Sequence, residues 1–149
     1  MVIQRVSRAE VRVEGNPVGR IGVGLLVLVG LERGDSEAQI ERAARRVATL
    51  RVFSDSEERM NLGLDEIEGA VLAVSQFTLA GSIRKGRRPS FDRALGGDEA
   101  EPLFNRFLEL LRSSGVVVET GVFGALMEID LVNDGPVTLI WEDTPDQES

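Results

Sequence analysis

Residues 21–31 read IGVGLLVLVGL, and residues 70–79 read AVLAVSQFTL; neither run carries a charge. Both fall well short of the roughly 20 apolar residues that a membrane helix needs. They are rich in β-branched residues and do not alternate with polar ones, so they read as buried strands, the first as one strand or a pair. Residues 2–13 (VIQRVSRAEVRV) alternate well enough for a strand, with EGNPVG as its turn. Any fold for this chain has to wrap other elements around these runs.

Those elements are visible downstream. From Asp35 the period changes: Asp35 or Ser36 can cap a helix whose apolar positions Ile40, Ala43, Ala44, Val47 and Leu50 fall at three- and four-residue spacing. RVFSDSEERMNLGL reads as an irregular connection, and residues 80–91 as a basic loop. A second helix is expected over 98–113, with Leu103, Phe104, Phe107, Leu108 and Leu111 on one face and Gly115 ending it. Residues 116–122, 126–132 and 137–141 are strand-like, and 142–149 form an acidic tail expected to fray. With no repeat or linker, residues 1–149 are expected to be one α+β domain: a curved, barrel-like sheet with two amphipathic helices on one side.

Composition excludes more than it suggests. The chain has no His, no Cys and no Tyr. A Ser-His-Asp triad, a cysteine nucleophile, a His-ligated zinc and a phenolic acid are all ruled out. Chemistry would have to come from hydroxyls, carboxylates, Lys or Arg, backbone groups or the substrate, with no cofactor and no metal expected. The net charge of −8 argues against a general nucleic-acid coat, and no DNA partner is expected. Yet SIRKGRRPSF gathers Arg84, Lys85, Arg87 and Arg88 without an acid, a local cationic loop suited to phosphate contact or simply to solvent. The N-terminus lacks a signal-peptide core, so a cytoplasmic address and no membrane partner are expected.

Three short motifs have bland readings beside functional ones. Gly22-x-Gly24 opens a strand rather than following one, which makes it a turn or bulge and not a dinucleotide loop. Ser75 and Thr78 in SQFTL stand at a strand end, where hydroxyls often satisfy backbone groups, and no base is present to activate them. Gly135-Pro136, inside LVNDGPVTL, reads as a rigid turn between two strands.

In order and spacing, IQRVSRAEVRVEG, GLLVLVGLERGD, RVFSD, RMNL, VSQFTL, RKGRRPSF and ETGVFGALMEIDLVNDGPVT closely resemble the D-aminoacyl-tRNA deacylase (D-tyrosyl-tRNA deacylase) family. The resemblance runs almost end to end. Residues 80–83 (AGSI) stand where an acidic residue is expected, and Leu126 stands where the family often has one; both bear on loop pairing and tRNA contacts. The resemblance implies a homodimer with two sites at the interface, hydrolysis of D-aminoacyl-tRNA, and a role in chiral proofreading during translation. It assigns the catalytic motif to Ser75, Gln76, Phe77 and Thr78, with backbone N–H groups of Phe77 and Thr78 facing the ester carbonyl. Thr78 as a nucleophile is the alternative. It implies a cis Gly135-Pro136 bond whose carbonyls, reaching into the other subunit's site, hold the substrate ammonium and exclude an L side chain, with Arg5 bracing them. Glycyl-tRNA should then be cleaved too. Two other readings stay open: a tRNA-binding module without turnover, and an editing deacylase for small L-amino acids.

Overall fold

The computed structural model describes residues 1–145. It is an α+β arrangement of β1 (Val2–Val13), β2 (Asn16–Ile21), β3 (Gly24–Val29), α1 (Glu37–Thr49), β4 (Phe53–Ser54), β5 (Met60–Leu62), β6 (Ala70–Ser75), a 3₁₀ turn (Phe77–Ala80), α2 (Gly97–Ser113), β7 (Val117–Thr120) and β8 (Glu128–Ile140). Six strands form one sheet in the order β2-β1-β3-β6-β7, with β8 on the other edge of β1; β4 and β5 form a separate hairpin.

β1 and β2 meet through Glu14 and Gly15, both at positive φ (51° and 78°), which matches the twist a two-residue hairpin needs. The turn expected over EGNPVG is therefore only its first two residues; the rest is β2. The apolar run 21–31 breaks at Gly22-Val23, so that β2 and β3 follow one edge of β1 in succession. Gly24 is required there, since a Cβ would lie 1.8 Å from the Ala70 carbonyl oxygen of the parallel strand β6. The sheet then curls until Gly19 of β2 meets β7, where a Cβ would stand 2.5 Å from the Thr120 carbonyl oxygen. The result is a nearly closed barrel.

The lack of alternation in β3 and β6 now has its physical reason. Leu25, Val27, Val29, Val71 and Ala73 face α1 and α2, while Leu26, Leu72 and Val74 face the barrel interior with Val6, Ala9 and Val11. Both faces are covered, as parallel strands require. α1 starts at Ser36, whose N–H and hydroxyl both donate to the Gln39 side-chain oxygen (2.8 and 2.6 Å). In α2 Phe107 is fully buried and stacks on Phe104 at 6.5 Å. Each such side chain contributes about 1.5–3 kcal/mol.

Three further expectations need correction. The stretch 53–62 is a short hairpin, nucleated by the Asp55 carboxylate accepting the Glu57 and Arg59 N–H groups (2.8 and 3.0 Å). The strand expected over 70–79 ends at Ser75. The two strands expected around Gly135-Pro136 are one, β8. Of the acidic tail, Asp143 pairs with Arg42 on α1 at 2.5 Å; residues 146–149 lie outside the described residues. No helix among the described residues is long and apolar enough to cross a membrane.

Candidate active site

β6 ends because its parallel partner does. Ser75 pairs with Val29, Gln76 gives its N–H to the Val29 carbonyl (2.7 Å), and the chain turns over Gly30. A Cβ on Gly30 would lie 2.8 Å from the Leu79 Cβ, so only glycine lets the 3₁₀ turn settle there. The turn closes through Gly81 N–H to Thr78 carbonyl (2.9 Å). Its leading N–H groups, those of Phe77 and Thr78, donate to nothing among the described residues, the ordinary state of donors that open a helical turn. Ser75 is half-buried, Thr78 is exposed, and the Gln76 amide donates to the Thr78 hydroxyl.

Beside this turn lies a cavity of about 460 Å³, lined by Ser75, Gln76, Phe77, Leu95, Phe123, Leu126 and Met127 among others. None of its lining residues is ionisable. Phe77, 56% exposed, sits edge-on to Phe91 at 5.3 Å and 67°. Leu126 is 93% exposed at the rim. A largely apolar cavity suits an uncharged group, and the free N–H donors of the adjoining turn can polarise a carbonyl placed against them.

The basic loop continues from the same turn. Ser82 and Ser90 exchange backbone hydrogen bonds (2.7 and 2.9 Å), pinching its base. Arg84, Lys85, Arg87 and Arg88 are exposed and form no ion pair among the described residues. Gly86, at φ 69°, supplies the tight tip. Arg84 and Lys85 line a groove of about 560 Å³ together with Ala80, Gly81, Ser90, Asp92 and Arg93.

Gly135 and Pro136 lie elsewhere. Between the pairs Gln4↔Thr138 and Val6↔Asn133, β1 advances two residues while β8 advances five. The excess stands out as a bulge in which the Gly135-Pro136 bond is cis and Gly135 has φ 129°. Neither residue has a register partner on β1. Pro136, with no N–H to offer, sits where the ladder is already interrupted. Arg5, whose side chain is 11% exposed, donates from Nε to the Asp134 carbonyl (3.0 Å) and from Nη1 to the Val52 carbonyl (2.8 Å). Asn133 closes the base: its oxygen accepts the Val137 N–H (3.0 Å) and its NH₂ donates to the Thr138 hydroxyl (2.9 Å). Asn133, Gln4 and Thr138 were not singled out from the sequence. The one hint was an Asn placed to bond a backbone N–H a few residues on.

One chain therefore brings together Ser75–Thr78, Phe91 and the base of the cationic loop, but not Gly135 and Pro136. β1 and β3 stand between β8 and β6. Three strand spacings amount to roughly 14 Å. The perturbed ionisable groups are outside the cavity. Burial raises the Asp35 carboxyl, while hydrogen bonds from Arg20 and Arg12 lower Glu10 and the Arg59 and Glu57 N–H groups lower Asp55. No group of three or more metal-ligating side chains occurs among the described residues.

The sequence profile described as D-Tyr-tRNA(Tyr) deacylase matches residues 2–142. The chain belongs to this deacylase family. As a member it is a hydrolase. Among the deacylases, the D-aminoacyl-tRNA deacylase of Symbiobacterium thermophilum is 58% identical over 93% of this chain and 92% of its own. That of Paracoccus denitrificans is 57% identical over 98% and 97%. A solved structure, that of a c-Myc DNA Unwinding Element Binding Protein, shares the fold, with a TM-score of 0.89 and 37% identity over 96% of this chain and 97% of that one.

Proposed function

We propose that two copies of this chain together hydrolyse D-aminoacyl-tRNA, each site combining the Ser75–Thr78 turn of one copy with the Gly135-Pro136 bulge of the other. The observation that carries the chemistry is the pair of Phe77 and Thr78 N–H groups, unengaged among the described residues, on a turn whose Phe77 lines a cavity with no ionisable lining. Two such donors suit the oxyanion of a tetrahedral ester intermediate. No side chain there can serve as general base, which favours a water oriented with help from the substrate's own vicinal ribose hydroxyl over attack by Thr78. An aminoacyl ester is labile enough for positioning to do most of the rest. No metal enters this mechanism.

Selectivity is assigned to the bulge. The Gly135 and Pro136 carbonyls, free of the ladder, would accept the substrate's α-ammonium and occupy the space of an L side chain. The distance between bulge and turn within one chain supports a second copy as the supplier. So does the apolar end of β8, where Ile140 is 74% and Leu139 39% exposed. The cations of the 84–88 loop, without ion pairs among the described residues, suit the phosphates of the tRNA end. The name of the DNA-element-binding relative raises DNA as another ligand, but a net charge of −8, with Arg84, Lys85, Arg87 and Arg88 clustered in one loop, favours a local contact.

The test is loss of ester from matched D-, L- and glycyl-tRNA, with sedimentation of the same sample. Rapid loss of the D and glycyl esters alone, from a dimer, is expected, since glycine has no side chain to exclude. Binding of tRNA without turnover, or loss of the L ester, would sink the reading.

A further inference from the structure

The bulge is held from two sides, and the two holds differ in kind. Arg5 reaches it from β1 and anchors its leading residue through the Asp134 carbonyl. The trailing side is fixed by Asn133, whose side chain spans the neck from within β8. One end of its amide accepts the Val137 N–H at 3.0 Å, and the other donates to the Thr138 hydroxyl at 2.9 Å. That hydroxyl also receives the Gln4 amide across the strand pair at 3.2 Å. Val137 is 7% exposed, so its N–H would otherwise be a poorly hydrated donor. The four residues between the two ends of this clasp include both carbonyls assigned to substrate.

We propose that Asn133 is the positioning residue of the chirality gate, fixing through Val137 and Thr138 the direction in which the Gly135 and Pro136 carbonyls point. The inference rests on the gate reading above and adds what aims it. Arg5 sets where the bulge begins; Asn133 sets where it ends. Asparagine suits this place because one planar group must accept on one side and donate on the other. Aspartate can substitute, since its carboxylate accepts the Val137 N–H and the Thr138 hydroxyl can turn to donate to the second oxygen. Leucine, of similar size, can do neither.

The experiment compares Asn133→Leu, Asn133→Asp and Thr138→Val with the unmutated protein, measuring kcat/KM for D- and L-aminoacyl-tRNA together with the thermal midpoint. Asn133→Leu should lower the D-over-L ratio by roughly tenfold or more, as expected for a lost hydrogen bond to a buried donor. Asn133→Asp should restore the ratio to within about threefold, and Thr138→Val should fall between them. A Leu variant that discriminates as well as the unmutated protein overturns the proposal. So does a fall in D activity and thermal midpoint that Asp fails to rescue, since that marks a merely structural role. If Asn133→Leu does not fold, Thr138→Val decides alone: an unchanged ratio overturns the proposal. An unmutated protein that does not discriminate sinks the gate reading itself, and this inference with it.

Discussion

The two halves assigned to the site are built on opposite plans. The Gly135-Pro136 bulge is fixed by side chains from three places: Arg5 on β1, Asn133 at its own neck, and Gln4 through Thr138. The Phe77–Ala80 turn is fixed almost wholly by backbone, by the Val29 and Gln76 carbonyls and by the absence of a side chain on Gly30. A gate that discriminates by excluded volume needs walls that do not yield, and many convergent bonds provide them. An oxyanion pocket needs donors that are free, so its turn is held from behind and left open in front. Substitutions should therefore be felt very differently in the two regions.

The largest effect is expected at Gly135. Its φ of 129° is one that L side chains rarely adopt, and a Cβ would lie 2.9 Å from Arg5 Nη2 and 2.9 Å from Val137 Cγ2. Gly135→Ala must displace the guanidinium that anchors the bulge. Activity on D-aminoacyl-tRNA should fall at least about a hundredfold, or ~3 kcal/mol, in single-turnover ester loss. A variant within tenfold of the unmutated protein would show the wall to be softer than its contacts imply.

Arg5→Ala comes next. It strips a donor from two carbonyls, those of Asp134 and Val52, and so unties the bulge from the segment that leads into β4. A loss of about 2–3 kcal/mol is expected in denaturant unfolding. Arg5→Lys should recover little of it, because one ammonium cannot reproduce the guanidinium's spread of donors. Equal stability of the Lys variant would reduce Arg5 to a simple charge.

How much of this was legible in the sequence follows from the same contrast. The helices were, because Ile40, Ala43, Ala44 and Val47 keep one face and Ser36 caps it. So was the barrel class, because runs like LLVLV demand cover on both faces. The end of β6 was not: SQFTL stays apolar enough to read as strand, and only the partner strand's end at Gly30 turns it. β8 was read as two strands because Pro136 removes a ladder donor, and a bulge that takes proline out of the ladder cannot be told from a turn by sequence. The hairpin at 53–62 hid among polar residues, its turn made by Asp55. Asn133 looked like any turn asparagine until its two partners were seen.

The cationic loop extends the comparison from shape to charge, and a smaller effect is expected there. Arg87 and Arg88 are exposed, and their side chains form no hydrogen bond or ion pair among the described residues. Replacing both with alanine should leave folding and kcat unchanged and raise KM several-fold. The slope of log affinity against log salt should fall by about 0.7–0.9 for each phosphate no longer neutralised. An unchanged salt slope would assign these cations to solvent rather than to tRNA.

The smallest effect is expected at Thr78, which is why it separates the two plans most sharply. Its hydroxyl accepts from the Gln76 amide and is exposed, while its N–H is one of the two unengaged donors. Thr78→Ala keeps the N–H and removes only the hydroxyl. If the turn acts through its main chain, D-ester hydrolysis should stay within about threefold of the unmutated rate. The bulge, by contrast, must lose activity when a single methyl is added at Gly135. A loss of about 10²–10³-fold in Thr78→Ala, the scale of removing a catalytic group, would mean that the hydroxyl takes part in the reaction. The turn would then depend on a side chain after all, and the division between a side-chain-held gate and a main-chain catalyst would fail at its catalytic half.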